Sequence, residues 1–183
     1  VVLALALLFD APLAEQANPG LSPNPTKAPW YFMGIQETLM HLHPLFAAVV
    51  IPGLVVLGLL AIPYLSYDEN PVGVWFCSAA GRKSALLAAV LGVALTTAAV
   101  LIDEYLLAAG SAARGDPVRH GLLPFVVIAA LGAGFYASVR KPLGGSRNEA
   151  VQALFTLLIA AFLALTLIGN LFRGPGMQLV WAG

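Results

Sequence analysis

The stretch AVQALFTLLIAAFLALTLIGNLF, residues 150–172, contains no charged side chain. A helix rises ~1.5 Å per residue, so this stretch is long enough to cross the ~30 Å hydrocarbon layer of a membrane. Three other runs share its character, at residues 44–65, 84–102 and 121–139. A helix satisfies its own backbone hydrogen bonds, as lipid requires. The sequence therefore predicts an all-α bundle with four full transmembrane spans.

The composition of the whole chain agrees with this interpretation. Apolar residues make up 60% and charged residues 10%, with a mean hydropathy of +0.87, so most of the chain cannot face water. We predict a single membrane domain over residues 1–183. A formal net charge of +0 argues against nucleic acid as a partner, and the single cysteine, Cys77, excludes a disulfide within the chain.

The segments between the spans predict the orientation. Residues 1–9, VVLALALLF, lack the positively charged start of a signal peptide, and we interpret them as the end of a transmembrane helix that begins upstream. The short loops at 66–83 and 140–148 are the denser in lysine and arginine. Such loops face the cytoplasm, which places the loop at residues 10–43 on the outer side.

A short amphipathic helix is expected inside that loop, within NPTKAPWYFMGIQETLMHLHP at residues 24–44. Pro29 has the fixed φ that suits a first helical position, so the predicted interfacial helix covers residues 29–43. Its helical period puts Glu37 and His41 one above the other. Trp30 and Tyr31 have the amphipathic rings favoured at the boundary between head groups and hydrocarbon.

Two interpretations of this helix remain open from the residues alone. In the first it is an interfacial anchor, and Glu37 and His41 point into water. In the second it forms the mouth of a pocket, where the aromatic side chains hold a flat apolar ligand and the Glu37/His41 pair passes protons. Periodicity does not separate the two.

Three quoted segments carry a resemblance to a known family. NPTKAPWYFMGIQETL, then VVIPGLVVLGLLAIPYL, then DENPVGVWF resemble, in this order, the C-terminal part of cytochrome b, or the split-off subunit IV, of bc-type quinol-oxidising complexes. The likeness covers roughly residues 1–83, and the further spans are similar to extended bacterial forms. It implies a bacterial inner membrane protein, with the loop at 10–43 on the periplasmic side.

The resemblance also implies a quinol pocket. In that family a Pro-Glu-Trp-Tyr signature lines the quinol-oxidation site, and Trp30 and Tyr31 match its last two residues. The implied pocket wall comprises Pro29, Trp30, Tyr31, Phe32 and Pro44. The signature glutamate, which accepts a proton from quinol, is replaced here by Pro29. The expected proton acceptors are therefore Glu37, Tyr31 and His41, and the departure favours menaquinol slightly among the quinones.

The haem groups of such complexes need paired histidines on facing transmembrane helices. His41, His43 and His120 all lie outside the predicted spans, so we expect this chain to ligate neither haem nor another metal. The resemblance implies three partners, in a complex that is a dimer: a haem-binding cytochrome b subunit, a Rieske-type iron-sulfur protein and a c-type cytochrome. The predicted function is that of a non-haem subunit of a quinol:cytochrome c, or similar carrier, oxidoreductase. The alternative is a structural anchoring subunit with no quinol site of its own.

Asp103 and Glu104 end the second predicted span. Adjacent carboxylates are costly if they face lipid, so we expect them at the outer interface. A proton exit route is the alternative role.

Overall fold

The computed structural model describes residues 20, 26–64, 75–107 and 116–180. The predicted N-terminal helix end at residues 1–9 lies outside this part of the chain. The described residues form one short helix and four helices long and apolar enough to cross a membrane. These are α1 (Met33–His41), α2 (Phe46–Tyr64), α3 (Ala79–Tyr105), α4 (Val118–Arg140) and α5 (Arg147–Phe172). The prediction of an all-α bundle with four spans is confirmed.

Helix α1 begins at Met33, one turn later than the predicted start at Pro29. A tight turn precedes it, in which Phe32 N–H donates to the Pro29 carbonyl at 2.9 Å. The side chain of Gln36 fixes the approach, because its Nε2 donates to the Thr26 carbonyl and its Oε1 accepts from Ala28 N–H, both at 2.7 Å. These bonds hold the preceding chain extended against the helix.

Helices α3 and α5 form the central pair of the bundle, and small residues let them approach closely. A Cβ added at Gly92 would lie 2.6 Å from the Leu157 carbonyl oxygen. Small residues that let helix backbones approach closely are common at interfaces between membrane helices, since lipid offers little hydrophobic drive. The buried core beside this contact consists of Ala88, Val139, Ala150 and Ala153.

Helix α4 carries a proline near its start, and the carbonyl that loses its helical partner accepts a hydrogen bond from another part of the chain. Pro124 has no N–H, so it leaves the carbonyl four residues earlier, that of His120, without its helical partner. The helix opens there into a π-type turn at Val118–Leu122. The His120 carbonyl instead accepts from His43 N–H at 2.7 Å. This bond ties the link between α1 and α2 to the start of α4.

Helix α2, like α4, is poorly covered by the rest of the chain. Within the chain 6% of the most apolar window of α2 is buried, against 17% for that of α3. Its Phe46 ring packs on Phe125 of α4, with centroids 5.7 Å apart. Exposed apolar side chains of this kind suit lipid or the apolar face of another membrane helix.

Candidate functional site

An ionic cluster forms where three parts of the fold meet. Helix α1 contributes Glu37 and His41, the end of α3 contributes Asp103 and Glu104, and the residue after α5 contributes Arg173. The position of α1 brings these groups together, because Met33 packs on Gly169 and Gly34 packs on Phe162 and Thr166. We call these five side chains the ionic cluster.

Glu37 and Arg173 are the buried centre of the ionic cluster, and both side chains are 0% exposed. Arg173 Nη2 donates to Glu37 Oε1 at 2.5 Å, and Nε donates to Oε1 at 3.0 Å and to Oε2 at 3.2 Å. Two donors on one carboxylate fix its orientation. Burial acts to raise the pKa of the Glu37 carboxyl, but His41 and Arg173 outweigh it and hold that pKa below its usual value. Glu37 is therefore ionised.

His41 connects the buried centre to the edge of the cluster. Its Nε2 lies 3.1 Å from Glu37 Oε1, and its Nδ1 lies 2.5 Å from Asp103 Oδ2. Burial acts to lower the pKa of His41, but the two carboxylates outweigh it and raise that pKa above its usual value. The imidazole therefore favours its protonated form.

The segment after α5 holds Arg173 in place. Arg173 Nη1 donates to Glu104 Oε2 at 3.1 Å and to the Met177 carbonyl at 3.0 Å. The chain turns back through Gly176, whose φ of 70° suits glycine. Lys27 Nζ donates to the Asn170 and Arg173 carbonyls at 2.7 and 3.0 Å, which places a cation at the negative end of the α5 dipole.

The predicted pocket residues lie apart from this buried centre. Trp30, Tyr31 and Phe32 are 67%, 55% and 53% exposed, and Pro29 and Pro44 are exposed as well. The Trp30 and Tyr31 rings meet edge to face with centroids 5.7 Å apart, and Tyr31 and Phe32 are 5.0 Å apart. We call Trp30, Tyr31 and Phe32 the aromatic triplet.

The structure shows where the Glu37 and His41 side chains of the surface helix lie. The expectation that Glu37 points into water is wrong, because Glu37 is completely buried against Arg173. The structure does bring Glu37 and His41 together, as their spacing predicts. An apolar cavity of about 90 Å³ lies elsewhere, between the end of α3 and the segment after α5, and its lining includes Thr97, Phe172 and Val180 rather than the aromatic triplet.

Sequence reasoning missed the central role of Arg173. The available signal is its place directly after an uncharged span. A guanidinium at such a position either extends to the membrane interface or pairs with a carboxylate or backbone carbonyls. Its partner Glu37 lies 136 positions away in the sequence, so the pairing itself requires the fold.

The fold and the cluster define a helical membrane protein with a charged site at one end of its bundle. Comparisons with protein-family models, with curated proteins and with solved structures gave no match.

Proposed function

We propose that this chain is a non-haem membrane subunit of a bc-type complex that oxidises quinol and passes electrons to cytochrome c or a similar carrier. In this proposal the aromatic triplet, with Pro29 and Pro44, forms one wall of the quinol-oxidation pocket. A partner subunit forms the other wall. The proposal follows the sequence resemblance, and one structural observation supports it above the others.

That observation is the exposed aromatic triplet at the start of the helix that carries the ionic cluster. Three rings with large exposed fractions offer a surface on which a flat quinol ring can stack. The same helix holds Glu37 and His41, which lie five and nine residues beyond Phe32. A quinol-oxidising site needs both features, because the reaction releases protons as well as electrons.

The chemistry assigns roles to this chain's own residues. Oxidation of quinol to quinone removes two electrons and two protons. The electrons leave to an iron-sulfur protein and to haem b, which partner subunits carry. The neutral imidazole of His41 and the carboxylate of Glu37 are the general bases that this chain supplies, and Tyr31 is the pocket residue with a hydroxyl. Menaquinol is the favoured substrate, because Pro29 stands where the Pro-Glu-Trp-Tyr signature of the resembled family has its glutamate, and this departure slightly favours menaquinol among the quinones.

A second candidate is a structural anchoring subunit with no quinol site. The observation in its favour is the pairing of Glu37 with Arg173, since both side chains are fully buried and neutralise each other. A buried ion pair of this kind can fix the orientation of packed elements without any catalytic role. The poorly covered α2 also suits an anchor that packs on neighbouring subunits.

The test compares two exposed tryptophans in the complex that co-purifies with this chain. Trp30→Ala and Tyr31→Ala remove aromatic surface from the proposed pocket. Trp75→Ala is the matched control, because Trp75 is 59% exposed and packs on Phe76 and Phe155, away from the ionic cluster. We expect the first two variants each to lower kcat/KM for menaquinol by about two- to tenfold, since stacking on an aromatic ring contributes about 0.5–1.5 kcal/mol.

The outcomes separate the two candidates. A menaquinone analogue that photolabels Trp30 or Tyr31, together with a normal Trp75→Ala complex, supports the pocket. Unchanged quinol oxidation in Trp30→Ala and Tyr31→Ala would support the anchoring subunit. Purification of the chain with no haem-bearing partner would contradict the proposed complex.

A further inference from the structure

The ionic cluster contains a continuous hydrogen-bonded chain that leads from buried to accessible groups. Glu37 is 0% exposed, His41 12% and Asp103 18%. The two links are 3.1 Å, between Glu37 Oε1 and His41 Nε2, and 2.5 Å, between His41 Nδ1 and Asp103 Oδ2. Both distances allow direct proton transfer between side chains.

The His41 ring is hydrogen-bonded in either protonation state. When it is neutral, Nδ1–H donates to Asp103 and Nε2 accepts from Arg173 Nη2 at 3.2 Å. When it is protonated, Nε2–H donates to Glu37 and Nδ1–H still donates to Asp103. A ring that keeps its partners in both states gains and loses a proton without leaving a buried polar atom unpaired.

The charges around the ring favour proton uptake. Glu37 faces it from its own helix, Asp103 and Glu104 belong to the end of α3, and Arg173 follows α5. With a neutral ring the cluster holds three carboxylates and one guanidinium. Lys27 is the cation next to this group, and its ammonium is bonded to backbone carbonyls rather than to a carboxylate. A proton on His41 therefore reduces the surplus of negative charge.

We propose that Glu37, His41 and Asp103 form a proton-transfer path, and that Asp103 is its exit to water. The path rests on the proposed function for its proton source, which is the quinol. A proton binds at His41 Nε2, the imidazolium passes its Nδ1 proton to Asp103 Oδ2, and Asp103 releases that proton to water. The neutral ring then carries its proton on Nε2, which donates to Glu37 Oε1. Arg173 is a positioning residue, because it holds the Glu37 carboxylate.

Two adjacent carboxylates supply a matched pair of variants. Asp103→Asn keeps a hydrogen-bond acceptor for His41 but removes the group that takes the proton. Glu104→Gln makes the same chemical change one residue away, at a carboxylate that bonds to Arg173. Asp103→Glu restores the carboxylate and is the conservative variant.

The first readout needs no turnover. The full chain with ¹⁵N-labelled histidine is placed in lipid nanodiscs, His41→Gln assigns the His41 signal, and NMR follows exchange of its ring N–H protons with water. We expect Asp103→Asn to slow this exchange at least about tenfold. For comparison, a general acid or base typically accelerates a reaction by about 10²–10⁴-fold. Glu104→Gln should change it by less than about twofold. Equal exchange in the two variants would overturn the path.

The second readout is menaquinol oxidation by the assembled complex across pH. Asp103→Asn should lower kcat about 10²-fold with KM unchanged, and Asp103→Glu should recover most of the rate. Suppose that ring exchange is slow in Asp103→Asn but that Trp30→Ala leaves menaquinol oxidation unchanged. This result would support the proton-transfer path and contradict the quinol pocket. Suppose instead that Trp30→Ala lowers the rate of menaquinol oxidation but that Asp103→Asn and Glu104→Gln change this rate equally. This result would support the pocket and overturn the path.

Discussion

Among the described residues, each end of the bundle buries one glutamate, and the two glutamates have different hydrogen-bond partners. Glu37 meets the side chains of Arg173 and His41. Glu149, at the opposite end of α5, is 4% exposed and accepts from the backbone N–H groups of Ser78 at 2.8 Å and Ser146 at 3.0 Å. Both carboxylates are satisfied, but their donors differ in kind.

The difference separates a fixed contact from an exchangeable one. The backbone N–H donors of Glu149 do not titrate, and its bonds complete a capping box at the start of α5 while joining that helix to the start of α3. The imidazole donor of Glu37 can gain or lose a proton, and its two carboxylate neighbours raise its pKa above the usual value. Glu149 therefore has a structural role, because it joins the starts of two helices. The Glu37 end, in contrast, has the titratable groups that proton transfer requires.

The largest effect is expected from Arg173→Met. This change leaves Glu37 buried without its guanidinium, and breaking a buried pair from one side costs about 3–5 kcal/mol. The free energy of unfolding in mixed detergent micelles measures it. The double variant Glu37→Met/Arg173→Met removes both charges and should recover most of the loss. A double variant as unstable as Arg173→Met would show that the pair is not the source of the effect.

The spans were predictable from the sequence because lipid imposes a simple rule, an uncharged run of sufficient length. The pairing of Glu37 with His41 was also predictable, because it depends on helical spacing alone. Arg173 and Asp103 join these residues only through the packing of α1 on α5, which no local pattern encodes. The buried state of Glu37 was missed for the same reason, since its counterion lies far away in the sequence.

The opposite end is tested by Glu149→Gln. The amide keeps one acceptor oxygen but turns an NH₂ group towards a backbone N–H, so one donor loses its partner. Hydrogen bonds to a charged group contribute about 1.5–3 kcal/mol, and we expect a loss of about 2 kcal/mol in the same unfolding assay. The loss should be constant from pH 6 to 8, unlike that of variants at the Glu37 end.

The contact that holds the two ends in register is tested by Gly92→Ala. The new methyl group would meet the Leu157 carbonyl, and overpacking costs about 1–3 kcal/mol. The higher helix propensity of alanine stabilises the helix by about 1 kcal/mol. We therefore expect the free energy of unfolding to fall by about 1 kcal/mol in total. Gly134→Ala is the control, because a Cβ there meets nothing within 4 Å, and it should be neutral or stabilising.

The smallest effect is the pH dependence of the Glu37 end. The pKa of Glu37 is lowered from 4.5, so its contribution is complete above pH 4.5 and is lost as pH falls through the folded-state pKa. The pKa of His41 is raised from 6.5, so its contribution is complete below pH 6.5 and is lost as pH rises through the folded-state pKa. The stabilisation from this end is therefore greatest between pH 4.5 and 6.5.

We thus expect the free energy of unfolding to decline as the pH is raised above 6.5, and a pH series of unfolding curves measures that decline. His41→Gln should abolish the alkaline decline, because it removes the titrating ring. His43→Gln should preserve it, because the Glu37 and Asp103 contacts stay intact. A decline that persists in His41→Gln would assign the titration to another group, and the two ends of the bundle would then differ in geometry but not in their response to protons.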